Sequence, residues 1–405
     1  MVEHPRLNWQ DPDLIQNPYP HYAALQSRAP LFFEQERGIW IVSGYDDCQR
    51  MLKDPRFTND RFGRFLEAFP PEQQTELAPI FTVARRMTIF RDGLEHELIR
   101  TPLTRAIAMQ AQKTFGTLVA EEVENILSPL QPGQTIDFFA QIAHPFPLRI
   151  ICRMMGFPIE EGPKVKAWAD AITRFIDVST DLEVARKAHQ AYRDFVDYIS
   201  PIWKQRQGQE DKHDLLSLLK KVQDGHAAIH EDDIFSNILG LFLAGHETTT
   251  SLLTNGMSAL FQEPEALASV RKDLSLLPQA IEEMLRFDGP VQRVGRAARE
   301  DLLWAEQYPI KRGQYVVLLL GAANRDPKEF EEPQRFMIQR AKNKHLSFGG
   351  GAHHCIGAQL ARLESLVLLK ALFTKFPAMS LIEPVGSYAP NLTFRCRTAL
   401  RLLLK

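Results

Sequence analysis

The run DDIFSNILGLFLAGHETTTSLLTNGMSALFQ, from Asp232 to Gln262, constrains the fold more than any other stretch of this 405-residue chain. Read as one helix it is roughly 45 Å long. Through its first half it is apolar around most of its circumference. A helix with no polar face has no side to offer water, so it must run through an interior with other elements around it. Its longest apolar stretch, ILGLFLAG, stops at His246-Glu247 and is too short to span a bilayer. A chain of this length can bury such a core. No repeat and no Gly/Ser- or Pro-rich linker interrupts it, so residues 1–405 are expected to form a single domain.

The elements around that helix read as mainly α with small β-sheets. NPYPHYAALQSRAP has a proline turn followed by a short helix pattern, and GIWIVSGYDDCQRML reads as strand, turn and helix. From Phe57 to Phe90 the pattern is irregular, with Phe62, Phe65, Phe69 and Phe81 set among charges; it predicts a long loop with short helices. From Glu95 to about Pro201 the pattern is mostly helical, punctuated by Pro145, Pro147, Pro158 and Pro163. YVVLLL near Tyr315 and the terminal TALRLLLK read as strands.

Charge and cysteine usage exclude several function classes. The formal net charge is -2, so bulk electrostatics provide no case for nucleic acid or an anionic membrane. Cys48, Cys152, Cys355 and Cys396 are scattered and form no C-x-x-C pair, which points to a reducing compartment rather than a disulfide framework. The N-terminal MVEHPRLNWQDPDL has no apolar segment of a secretory signal. The expectation is a cytoplasmic protein without a membrane anchor.

One cysteine stands apart. LSFGGGAHHCIGAQLARLE, Leu346 to Glu364, sets Cys355 where a glycine-rich loop gives way to a helix pattern. Glycines let the backbone approach something flat and bulky, and N–H groups at a helix start favour a thiolate. A hydrogen-bonded thiolate suits an electron-rich metal. These residues alone leave open a structural cysteine in a tight turn. Zinc held by His353, His354 and Cys355 is disfavoured, because three adjacent residues wrap a tetrahedral ion poorly. On the long helix Gly240, Ala244 and Thr248 are four apart and share a face. Glu247 and Thr248 form an adjacent acid and alcohol suited to proton relay; a helix kink with hydroxyl back-bonding is the other reading. HETTT is not H-E-x-x-H, so a zinc protease is excluded. LPQAIEEMLRF offers two ion pairs, Glu283 with Arg286 and Glu282 with Arg286.

The segment Phe348, Gly349, Gly351, His353, Cys355, Gly357 matches F-G-x-G-x-H-x-C-x-G without departure. On it the chain resembles the cytochrome P-450 superfamily, and most closely the soluble bacterial members. Ala244, Gly245, Glu247, Thr248 and Thr249 match the A-G-x-[D/E]-T-T segment of the same family, and the similarity runs from NPYPHYAAL to the terminal strands. The resemblance implies a long central helix over haem b with the cysteine-ligand loop beneath, and Cys355 as proximal ligand to iron. It implies cofactor contacts at Phe348, Gly349 and Ala244, and propionate donors at His96, Arg100, Arg296 and His353. Around His96 the chain reads Asp92-Gly93-Leu94-Glu95, where bacterial members commonly carry a proline-rich D-P-P-E-H. The resemblance selects Glu283 and Arg286 as a structural pair, and ANRDP and PQRF place Arg335 in the same buried network.

The activity it implies is insertion of one oxygen atom from O2 into an apolar small molecule, by hydroxylation or epoxidation, with Thr248 and Glu247 delivering protons. Electrons are expected from a separate ferredoxin or flavodoxin with its NAD(P)H-dependent reductase, docking on a basic surface of Arg100, Arg105, Lys342, Lys344 and Arg362. Substrate neighbours are expected at Ile89, Leu243, Ala244, Val291, Val294 and Phe394, with access gated by residues 62–90 and the region around Ala167–Val178. The alternatives are a haem-thiolate peroxygenase or oxidative coupling enzyme, and a non-catalytic haem sensor.

Overall fold

The computed structural model describes residues 7–9, 11–67, 69–177, 181–207, 214–224 and 229–405. The chain divides into two compact units, Met1–Phe57 with Ala120–Pro147 and Glu247–Lys405, and Thr58–Val119 with Leu148–His246. The dividing point falls inside the long helix, Glu231–Phe261, one residue off the predicted bounds at each end. Glu231, Asp232 and Asp233 occupy its first turn, where the helix dipole favours acids. Ile234, Ile238, Leu239, Phe242, Leu253, Met257 and Leu260 along it are each at most 2% exposed, which is the interior passage its composition required.

The first unit carries the sheets. Leu31–Glu34 pairs antiparallel with Ile39–Val42, which runs parallel to Tyr315–Leu318, which in turn pairs antiparallel with Val294–Ala298. The strand beginning at Phe57 lies at the edge. The strand predicted near Tyr315 ends at Leu318, and a short helix, Leu320–Ala323, follows at once. The C-terminal strand Arg401–Leu403 pairs with both Thr135–Asp137 and Ser380–Leu381. Leu277–Phe287 packs against Ala358–Lys375. At Gly256 on the long helix an added Cβ would lie 2.6–2.8 Å from the Met284 side chain, so only glycine permits this approach.

The second unit is helical. Its Leu182–Gln205 helix is started by Asp181, whose carboxylate accepts from Val184 N at 2.9 Å. It buries Ala185, Ala188, Tyr192, Phe195, Ile199 and Trp203 on one face and packs against Gly162–Asp177. The helical pattern does not stop at Pro201, which lies inside this helix. The segment expected to be a long loop with short helices is more helical than that: beside the short Phe62–Glu67 helix, Pro71–Arg86 is a 16-residue helix, and Thr88–Phe90 is a 3-10 turn. Phe62, Phe69 and Phe81 of this segment are buried. Phe62 meets Phe81 at 5.9 Å and Phe90 at 4.7 Å, and Phe81 meets Phe175 at 5.0 Å. Of the expected gating region, Ala167 to Asp177 is helical and Val178 lies outside the described residues. Among the described residues no helix is long and apolar enough to cross a membrane.

Candidate active site

The cysteine loop is built from backbone constraints. Gly349 and Gly351 adopt φ of +67° and +66°, the left-handed region that side chains disfavour. A Cβ on Gly351 would also stand 2.8 Å from the Leu52 carbonyl oxygen. Cys355 N donates to Phe348 O at 2.9 Å, closing the loop, and Gly357 caps the following helix, Ala358–Lys375. Cys355 is exposed, whereas Cys48 and Cys152 are buried.

The loop is held from behind by a buried ion pair. Arg286 Nη2 and Nε donate to the two oxygens of Glu283 at 2.7 and 2.8 Å. Arg286 also donates through Nη1 to Asn324 O at 2.9 Å. The Asn324 side chain receives Leu346 N at 2.6 Å and donates to Ser347 Oγ at 2.8 Å, and Ser347 Oγ donates to Leu285 O at 2.6 Å. Leu346 and Ser347 directly precede Phe348, so the pair fixes where the loop starts. Arg335 does not join this network as expected. Its guanidinium is 61% exposed and paired with Glu332, and only its carbonyl oxygen accepts from Arg286. Arg340 takes the inner position, with Nε at 3.0 and 3.1 Å from the Glu283 oxygens.

Glu282, the other candidate partner of Arg286, turns elsewhere. Arg362 Nε and Nη2 donate to it at 2.6 and 2.8 Å, and His345 Nε2 lies 3.1 Å away. Burial alone would raise the Glu282 carboxyl, but the hydrogen bonds from Arg362 and His345 outweigh it and bring the group down to about 2. The Arg362 guanidinium lies 4.4 Å from the centre of the Phe348 ring. Its pKa is raised chiefly by the bond to Glu282, with a further contribution from the Cys355 sulfur. Arg362 is therefore engaged within the protein, while Arg105, Lys342 and Lys344 are exposed.

The middle of the long helix shows the second feature. Residues on either side are buried, yet Ala244 and Gly245 are exposed, and Gly240, Leu241, Glu247 and Thr248 are partly so. Ala244 and Gly245 are the most open residues of this stretch. Thr249 beside it is buried, as is Leu243. Ser251 Oγ and Thr254 Oγ1 donate back to the carbonyls of Glu247 and Thr250 at 2.7 and 2.8 Å.

The charged candidates fall in both units. In the first, Arg296 is 6% exposed on the Val294–Ala298 strand and His353 is half-buried in the cysteine loop. In the second, His96 and Arg100 are one turn apart on the Gly93–Gln110 helix, His96 buried and Arg100 half-buried. The sequence departure here has a structural counterpart. Gly93 turns at φ +58° and Asp92 accepts from Asn59 N and Nδ2, both at 3.0 Å. A carboxylate anchor thus fixes the start of this helix.

The substrate candidates also form two groups. Val291 and Phe394, in the first unit, pair across an isolated antiparallel bridge, with Val294 three residues on. In the second, Ile89 is 43% exposed in a turn that the long helix grips. Asn237 Oδ1 receives Thr88 N at 2.8 Å, Asn237 Nδ2 donates to Arg86 O at 3.0 Å, and Asp233 receives Arg86 and Arg91 at 3.0 and 2.6 Å. No local sequence pattern marked this bracket.

The residues present suit haem. Cys355 is exposed in a glycine loop, Ala244 and Gly245 are exposed on a mostly buried helix, and buried or half-buried cations suit carboxylate side chains. Comparison with known proteins agrees. The cytochrome P450 family profile matches residues 41–381. The chain is 30% identical over 386 residues to the biotin biosynthesis cytochrome P450 of Bacillus subtilis (strain 168), covering 95% of each. It is 33% identical over 380 residues to the 6-deoxyerythronolide B hydroxylase of Saccharopolyspora erythraea, covering 90% and 89%. Its fold matches that of P450BioI in complex with hexadec-9Z-enoic acid ligated acyl carrier protein. That match has a TM-score of 0.87 and 29% identity and covers 97% and 99% of the two chains.

Proposed function

This chain belongs to the cytochrome P450 family and is a haem b monooxygenase, and from that premise we propose that residues 1–405 act as one catalytic domain that hydroxylates or epoxidises an apolar small molecule. The enzyme uses O2 and electrons from redox partners. We assign the electron supply to a separate ferredoxin or flavodoxin with an NAD(P)H-dependent reductase, and place the protein in the cytoplasm. The observation that carries the reading is the exposed Cys355, held in a glycine loop that the Glu283–Arg286 pair braces.

When bound, haem supplies the iron centre at which dioxygen is activated. Cys355 would contribute the sulfur ligand, and its backbone N–H bond to Phe348 O keeps the loop closed. Phe348, Gly349 and Ala244 would contact the same group. Arg296, His353, His96 and Arg100 would supply the cationic donors for its carboxylates. Thr248 Oγ1 and the Glu247 carboxylate hold and pass protons on the side of the long helix. Ile89, Leu243, Ala244, Val291, Val294 and Phe394 exclude water and orient an apolar substrate.

The hexadec-9Z-enoic acid ligated acyl carrier protein in the complex of one fold relative, and a relative named for polyketide biosynthesis, support a substrate of the acyl-chain or polyketide kind. The test is reconstitution with ferredoxin, reductase, NADPH and isotopically labelled dioxygen, against fatty acids and macrolactones. One labelled oxygen per product is expected. Product formed from hydrogen peroxide alone, and none with NADPH and partners, would overturn the proposal in favour of a peroxygenase.

A further inference from the structure

The first unit contains a second buried ion pair with no part in the cysteine loop. Asp288 follows the Leu277–Phe287 helix and is 5% exposed. Three donors converge on its carboxylate: Arg395 Nε at 2.7 Å, and the hydroxyls of Tyr19 and Tyr388, each at 2.5 Å. Arg395, also 5% exposed, directs Nη1 and Nη2 to the carbonyls of Ile15 and Gln16 at 2.8 and 3.0 Å. Its guanidinium lies 3.3 Å from the centre of the Tyr388 ring. Burying two charges carries a desolvation penalty that apolar packing avoids, so stability alone is a weak reason for such a pair.

Its position offers a better reason. Val291 lies three residues after Asp288, and Phe394 directly precedes Arg395. The two segments are zipped together: Arg395 N donates to Pro290 O at 2.8 Å and Gln292 N to Thr393 O at 2.9 Å, around the Val291–Phe394 bridge. One side chain of the long helix then grips both. Asn255 Nδ2 donates to Asp288 O at 3.3 Å and Arg395 O at 2.8 Å, and Asn255 Oδ1 receives Arg397 N at 3.1 Å. Asn255 is seven residues, two turns, beyond Thr248 and so shares its face.

We infer that Asp288, Arg395 and Asn255 are positioning residues that set Val291 and Phe394 at a fixed distance from Thr248, and thereby decide which bulky apolar ligands the enzyme accepts. The inference rests on the proposed role of Val291 and Phe394 at the substrate. The pair acts through the backbone of these two segments and touches no reacting atom.

The test compares two azoles that bind haem iron, compact imidazole and bulky apolar clotrimazole, by spectral titration of the holoenzyme. Arg395→Lys and Asn255→Ala should weaken clotrimazole by about tenfold and leave imidazole within about twofold. Tyr388→Phe, which removes one donor of three and is the variant safest for folding, should weaken clotrimazole by about threefold. Hydrogen exchange supplies a second readout. The Gln292 and Arg395 amides should exchange about tenfold faster in the variants, with the Cys355 amide unchanged. Equal effects on both azoles, or unchanged exchange at Gln292 and Arg395, would overturn the inference. Failure of the wild-type protein to bind imidazole at iron would instead sink the haem-thiolate reading, and the exchange measurement would still decide whether the pair positions the two segments.

Discussion

Glu283 and Arg286, three residues apart on one helix face, form a two-point ion pair in which both side chains are 0% exposed. All the neighbouring donors serve the same carboxylate. Met337 N reaches Glu283 Oε1 at 2.7 Å, and Asn343 Nδ2 reaches Oε2 at 3.2 Å. Removing the negative charge leaves Arg286 and Arg340 buried without a counter-ion, and breaking such a pair destabilises by about 3–5 kcal/mol. Glu283→Gln is expected to lower the unfolding midpoint sharply and to loosen the Leu346–Ser347 anchor of the cysteine loop. Thermal denaturation and haem content of the purified variant check both.

A substitution within the loop should act more locally. Gly351→Ala imposes a side chain on a φ of +66° and drives its Cβ to 2.8 Å from the Leu52 carbonyl oxygen. Haem retention should fall while helical content by circular dichroism stays near wild type. Full haem retention would show that the loop tolerates a different path.

Glu364, nine residues after Cys355, should make stability depend on pH. It is buried, its Oε2 has no hydrogen bond among the described residues, and burial pushes its carboxyl up to about 8. A folded-state value above the unfolded one means that the native state holds the proton more tightly. The stability this provides is complete below the ordinary glutamate range near pH 4.5 and is lost as pH rises through about 8. Each pKa unit corresponds to about 1.4 kcal/mol. Denaturant unfolding of the wild type should therefore weaken between these limits, and Glu364→Gln should flatten the decline.

The fold and part of the site were legible from sequence for different physical reasons. The long helix announced itself because no polar face could be drawn on it, and its ends fell within one residue of expectation. The cysteine loop was legible because its glycines occupy backbone angles that few other residues adopt. The Phe57–Phe90 stretch was misread because Pro70, Pro71 and Pro79 and the irregular phenylalanine spacing hid a helix that Pro71 in fact starts. Arg335 was misplaced because a resemblance of segments cannot separate an arginine that lends its carbonyl from one that lends its guanidinium; Arg340, five residues on, supplies the charge. Asp288 and Arg395 were invisible for a simpler reason. They are 107 residues apart, and no local periodicity links them.

Thr248→Ala tests the proton relay. The loss of Oγ1 should leave haem binding and the thiolate spectrum intact and lower product formed per NADPH consumed by about a hundredfold, the lower end of the range typical of a general acid–base group. Product and NADPH are quantified in the same reaction. An unchanged ratio would remove Thr248 from the relay.

The identity of the iron ligand is tested most directly by the absorption spectrum of the reduced carbon monoxide complex, recorded for the wild type and for Cys355→Ser purified with haem. The wild type should show the strongly red-shifted band of a thiolate-ligated iron. Cys355→Ser should lack it while keeping its helical content. Persistence of that band in Cys355→Ser would contradict the assignment and everything built on it.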